Sequence, residues 1–168
     1  EYRGLTIWFE MPKGYKFPHP RALRLAEWLM LSPWHDIPEE REIVNPGHYG
    51  DTPALSYSGG VDSTAALQVM PKNTVSVYCE RAGVASGSFN QVKQTAVCDR
   101  IGAIRIPTNF ELIRTVHGEG IGYSTARGMG VPAVLLAEHF GLSGVAYGAV
   151  LDDTCFPHGT FRPFTKDY

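Results

Sequence analysis

Ser58-Gly59-Gly60-Val61-Asp62-Ser63 is the stretch on which the reading of the whole chain turns. It is entered from the short apolar run Pro53 to Tyr57 and left through Thr64-Ala65-Ala66-Leu67-Gln68-Val69-Met70. The pattern is strand, paired-glycine turn, helix. Backbone N–H groups at such a turn and at the helix start converge on one concavity, and the helix dipole adds partial positive charge there. Glycine permits positive φ and lets an anion approach the main chain closely. Ser58 and Ser63 add hydroxyl donors, while Asp62 can cap the helix or hold a metal ion. No lysine stands in the turn, so it is not a phosphate loop of the GxxxxGK[ST] type. The competing reading is an ordinary strand-to-helix turn in which Asp62 is a plain cap.

Working outward, helix and strand alternate. Asn73 to Cys79 is β-branched and predicts a second strand. Ser86 to Ile101 carries Phe89, Val92, Ala96, Val97 and Ile101 at helical spacing, with Gly102 as the stop. Ala103 to Ile106 reads as a short strand ended by Pro107, and Phe110 to Val116 as one or two helical turns. Val131 to Phe140 predicts a helix with Pro132 near its start and Gly141 at its end. Gly144 to Gly148 follows as a buried strand. This order predicts an α/β fold with a parallel sheet flanked by helices. Ligands of such sheets sit at the carboxyl ends of the strands, where the SGGVDS turn falls.

Residues 1–50 have a different texture and read as an N-terminal extension packed on the sheet or as a small appendage, ahead of a nucleotide-binding domain over 51–168. Leu5 to Phe9 suggests a strand and Pro20 to Leu31 a helix, and Pro33, Pro38, Pro46 and Pro53 punctuate a polar connector. Trp8, Phe9, Trp28 and Trp34 are expected to be packing residues.

Composition narrows the function classes. At 168 residues and 43% hydrophobic content the chain can bury the core of one α/β domain. A net charge of −2 argues against a protein that coats nucleic acid through its charge. No run of about 18 apolar residues is present, so no membrane partner is expected. Cys79, Cys98 and Cys155 are widely spaced and odd in number, which suits a reduced cytoplasmic protein.

An apolar strand running into SGGVDS and a small-residue helix resembles the PP-loop of the N-type ATP pyrophosphatase superfamily, whose signature is SGGxDS. The resemblance implies the adenine-nucleotide alpha hydrolase-like fold and cleavage of ATP between its α and β phosphates, with activation of a substrate as its adenylate. Ser58, Gly59, Gly60, Val61, Asp62 and Ser63 would then hold ATP and its Mg²⁺, with Asp62, Ser63 and Arg127 in catalysis. A second constellation, Tyr123 to Pro132 with Arg127, then strand 144–148, then Asp152-Asp153-Thr154-Cys155-Phe156-Pro157 and Arg162-Pro163, resembles the 7-cyano-7-deazaguanine synthase family of queuosine precursor biosynthesis. Over roughly residues 53–164 that resemblance implies a deazapurine-like carboxylate as substrate, bound by Arg81, Asp152, Thr154, Phe156 and Arg162. It implies a homo-oligomer or a part of a larger assembly. Asp152-Asp153, at the expected ligand edge of the sheet, reads as a substrate-binding or Mg²⁺-binding pair, with a solvated strand end as the competing reading. The family's four-cysteine zinc cluster has no counterpart here, because no CxxC exists, so no metal ligands are assigned to the cysteines and zinc is not supported. Either the chain stops short of that site or this branch lacks it.

Departures from the family pattern widen the choice. Tyr78-Cys79-Glu80-Arg81-Ala82 keeps the family's Arg and lacks its His, and His158-Gly159 replaces an Asp-Cys pair. A relative that activates a deazapurine acid for another acceptor fits as well. So does another PP-loop enzyme, such as a tRNA-thiolating or amidating ligase, or a nucleotide-binding module without chemistry. The glycines at 118, 120, 122, 128 and 130 lack the strand context of a dinucleotide fingerprint and read as a loop closing over the nucleotide. His139 reads as a cap or surface group, and Arg105 and Arg114 as surface charge.

Overall fold

The computed structural model describes residues 2–31, 34, 49–82, 91–118 and 128–148. Four strands form one sheet: β1 (Thr52–Ser56), β2 (Val75–Arg81), β3 (Ile104–Thr108) and β4 (Leu142–Tyr147). Their spatial order is β3-β2-β1-β4, and every neighbouring pair is parallel. The chain therefore steps outward twice from β1 and then returns to its other side, a Rossmann-like order. The α/β architecture with a parallel sheet is as the alternation of patterns predicts.

Successive side chains point to opposite faces of the sheet, and helices cover both, so the central strands β1 and β2 carry runs of consecutive buried residues. Leu55, Tyr57 and Tyr78 point to one face, where α2 (Val61–Val69) and α3 (Gln91–Ile101) cover them with Ala66, Leu67, Val97 and Cys98. Ala54, Val77 and Ile106 point to the other, under Ala133 and Leu136. There α5 (Val131–Leu135) packs against α1 (Pro20–Leu31) through Val131, Val134 and Leu135 on Ala22, Ala26 and Leu29. Small residues at 22 and 26, one helical turn apart, let α1 approach closely. A short α4 (Ile113–Val116), entered through a tight turn at Phe110–Leu112, follows β3.

Several boundaries differ from the sequence reading for identifiable reasons. β2 starts at Val75 because Thr74 closes a turn, donating from both its N–H and its hydroxyl to the Pro71 carbonyl. It runs on through Glu80 and Arg81, whose charges find partners. β3 continues through Pro107 to Thr108, since an edge strand tolerates proline where its amide faces outward. The Pro107 carbonyl accepts the Glu10 N–H at 2.9 Å on that outer side. The expected strand over Leu5 to Phe9 is not formed. Phe9 makes a single antiparallel bridge to Thr108, because Pro107 has no N–H to continue the ladder. Side chains take over instead: Thr108 Oγ1 donates to the Trp8 carbonyl, and Asn109 bridges Thr6 and Trp8.

The predicted helix over Val131 to Phe140 is divided at Leu136 into α5 and α6 (Ala137–Phe140), and it ends on Gly141 in the left-handed region at φ 61°. The expected helix over 86–101 is seen from Gln91 onward, and residues 86–90 lie outside the described residues. Of the four aromatics expected to pack, Phe9 stacks on Phe110, Trp28 borders the α1–α5 core and Trp34 stacks on His117. Trp8 is 41% exposed. Among the described residues no helix is long and apolar enough to cross a membrane.

Candidate functional site

β1 delivers the SGGVDS turn to the carboxyl edge of the sheet, beside β4 and opposite the side that pairs with β2. That is where the strand order reverses, the place at which open α/β sheets leave a crevice. Gly59 takes φ +74°, and a Cβ there would sit 3.2 Å from Gln94 Cα on α3, so conformation and space both select glycine. Gly60 is the residue before α2, with extended φ −82° and ψ 172°. The Asp62 carboxylate lies in the first turn of α2, exposed, with no hydrogen bond or ion pair among the described residues. It is free to face a cation held by an anionic ligand, and the side-chain cap of the competing reading is not formed.

The turn is braced from within. Ser63, only 3% exposed, donates from Oγ to the Gly60 carbonyl at 3.1 Å and accepts the Ser58 N–H at 3.3 Å. Its hydroxyl also lies 3.1 Å from Ser58 Oγ, which accepts the Gly60 N–H. Ser58 and Ser63 therefore hold the loop closed upon itself, while Val61 and Asp62 form its exposed rim.

Two further segments crowd this edge. The tight turn Gly128–Gly130 lies against the end of β1, its Met129 carbonyl accepting from Ser56 Oγ at 3.1 Å. A Cβ on Gly130 would overlap the Tyr147 hydroxyl. Gly148, just past β4, abuts the start of α2: a Cβ there would lie 2.5 Å from Ser63 N and 2.6 Å from the Asp62 carbonyl carbon. Both neighbours are backbone, and neither can swing aside. Gly148→Ala is therefore expected to cost about 1–3 kcal/mol by overpacking. Thermal unfolding would register this as a loss of about 2–4 °C per kcal/mol, and an unchanged melting temperature would contradict so tight a contact.

Arg81 stands at the end of β2, buried, its Nε 2.7 Å from Glu111 Oε2. Burial pushes the Glu111 carboxyl above the ordinary glutamate range, and the Arg81 guanidinium pulls it back part of the way. The contact is an ion pair by proximity, since neither Glu111 oxygen accepts a well-aimed hydrogen bond. Arg81 thus braces β2 against the turn after β3, with its side chain only 4% exposed. Arg127, Asp152, Asp153, Thr154, Phe156 and Arg162 lie outside the described residues, as does most of the glycine-rich loop. Cys79 and Cys98 are buried free thiols. Burial raises both, Cys98 to about 11, so neither is a ready thiolate.

No protein-family model, curated protein or solved structure matches the chain. The site therefore rests on its own geometry. An open groove of about 430 Å³ lies elsewhere, along the outer edge of β3 between Glu10, Lys13 and Arg105. Its arginine is already engaged: Arg105 donates to both Glu80 oxygens and to Asp99, at 2.8 to 3.3 Å. That groove lies two strands from β1, away from the point where the strand order reverses, so the glycine turn remains the better site. Among the described residues no group of three or more His, Cys, Asp or Glu side chains could hold a metal ion.

Four residues at this edge escape sequence reasoning. Tyr57 and Thr64 flank the signature and bond to each other, Glu111 neutralises Arg81, and Gly148 closes on α2. Only Thr64, a second hydroxyl directly after Ser63 at the head of the helix, carries any signal in the sequence.

Proposed function

We propose that this chain is an ATP-dependent ligase or synthase of the PP-loop type, which adenylates a substrate carboxylate and releases pyrophosphate. The observation that carries the reading is the position of SGGVDS: a glycine turn opening a helix of nine residues, at the carboxyl end of β1, where the sheet order reverses. Gly59 at positive φ lets the chain turn tightly against α3, and the exposed N-terminal turn of α2 presents partial positive charge. Asp62 would hold Mg²⁺ together with the phosphate oxygens, and the ion would supply neutralisation of their charge. In the reaction a substrate carboxylate oxygen attacks the α-phosphorus, the α–β P–O bond breaks, and pyrophosphate leaves with its electron pair. The contribution of the protein is positioning and electrostatic stabilisation.

The likeness of residues 53–164 to the deazaguanine synthase pattern favours a deazapurine-like acid as the carboxylate. The direct test is ATP consumption with pyrophosphate and AMP as products, offering 7-carboxy-7-deazaguanine, simple carboxylates and tRNA in parallel. Pyrophosphate release with the deazapurine acid supports the reading. Release with tRNA alone moves the chain to the tRNA-modifying class. Binding of ATP with no turnover on any acceptor leaves a nucleotide-binding module, and absence of ATP binding ends the proposal.

A further inference from the structure

The Gly60 carbonyl is held by three donors at once. The Thr64 N–H reaches it at 3.0 Å, Thr64 Oγ1 at 2.8 Å and Ser63 Oγ at 3.1 Å. Thr64 has one hydroxyl proton and spends it on Gly60, so the bond between Thr64 Oγ1 and the Tyr57 hydroxyl, 2.9 Å long, must be donated by Tyr57. Tyr57 is itself fixed, 2% exposed, among Leu55, Tyr78 and Cys98 beneath the sheet. A chain of hydroxyls thus runs from the core, through Tyr57 and Thr64, to one carbonyl of the turn. No peptide bond among the described residues is cis, so pinning the Gly60 oxygen toward the helix fixes the Val61 N–H in the opposite direction. That N–H belongs to an exposed residue at the head of α2.

We infer that Tyr57 and Thr64, which lie outside the six-residue signature, are positioning residues that aim the Val61 N–H at a bound phosphate group. This rests on the reading of the turn as a phosphate cradle. Neither side chain reaches the ligand; both act through the Gly60–Val61 peptide. Losing the relay lets that peptide tilt, and the penalty falls on the phosphate contacts alone.

The test measures equilibrium binding of ATP–Mg²⁺, pyrophosphate and adenosine to the full chain. Tyr57→Phe keeps the ring and removes the hydroxyl; Thr64→Val keeps the shape and removes the donor. Each is expected to weaken ATP and pyrophosphate about threefold to tenfold, the worth of one hydrogen bond, and to leave adenosine unchanged. Thr64→Ser should restore most of the loss, because it keeps the hydroxyl. Melting temperatures identify any variant that fails to fold, and Tyr57→Phe keeps the test open if Thr64→Val is such a variant. Wild-type affinity for ATP and pyrophosphate in Thr64→Val and Tyr57→Phe, alongside weakened binding in Asp62→Ala, overturns the positioning role and spares the site. No binding by the unmodified chain overturns both. A loss that extends equally to adenosine also overturns it.

Discussion

Replacing Arg81 by Met is expected to destabilise the protein by about 3–5 kcal/mol at neutral pH, the largest effect of any single change considered for this chain. The reason lies in what remains. Glu111 is 2% exposed, and its carboxyl already sits above the usual range through burial, with Arg81 as the main opposing influence. Without the guanidinium the carboxylate stays buried with only the weaker influence of Arg114 to offset its charge, and its proton affinity in the folded chain rises further. A carboxyl that holds its proton more tightly folded than unfolded loses stability as pH rises from its ordinary 4.5 through the raised folded value. The Arg81→Met deficit should therefore shrink when unfolding is measured near pH 4.5, where Glu111 takes up its proton. Arg81→Met with Glu111→Leu should recover most of the loss at neutral pH, because an apolar pair has no charge to strand. Chemical denaturation of the two variants across pH decides the point. Wild-type stability in Arg81→Met would show that the buried pair carries no weight.

The second large effect concerns chemistry. Asp62→Ala should lower ATP–pyrophosphate exchange by about a hundredfold or more, on the scale of removing one group that meets transition-state charge. Its stability should stay within about 0.5 kcal/mol of wild type, since the carboxylate is exposed and braces nothing. Ser63→Ala should show a mixed phenotype. It deletes a donor to the Gly60 carbonyl and an acceptor for the Ser58 N–H, so a loss of about 1–2 kcal/mol in stability accompanies the loss of exchange. Exchange that survives intact in Asp62→Ala would refute the assignment of this turn as the reacting centre.

What the sequence carries about this architecture is the part written in short-range pattern. The strand entering SGGVDS, the small-residue helix leaving it, and the Gly141 stop after Phe140 are all found where periodicity and glycine placement put them. Pro20 to Leu31 is helical over its whole expected length. The failures come where a distant partner overrides the local rule. Pro107 sits inside β3 because the strand is at an edge, a fact of sheet order that no window of sequence contains. Glu80 and Arg81 remain in a strand because Arg105 and Glu111 neutralise them from 25 and 30 positions away. The site divides in the same way. Its six contiguous residues are legible as a motif. The Tyr57–Thr64 relay and the close approach of Gly148 depend on tertiary geometry and leave no repeat or spacing to read.

The segment laid along β3 has a consequence for how this molecule meets others. Residues 6–10 occupy that margin of the sheet with one backbone bridge, Glu10 on the Pro107 oxygen, and the amide and hydroxyl clasps of Asn109 and Thr108. Lateral recruitment of a foreign strand is thereby barred at one flank, and a proline guards the same flank a second time. Among the described residues the margin left for an added strand is that of β4, so enlargement of the sheet would take place beside the point where the strand order reverses.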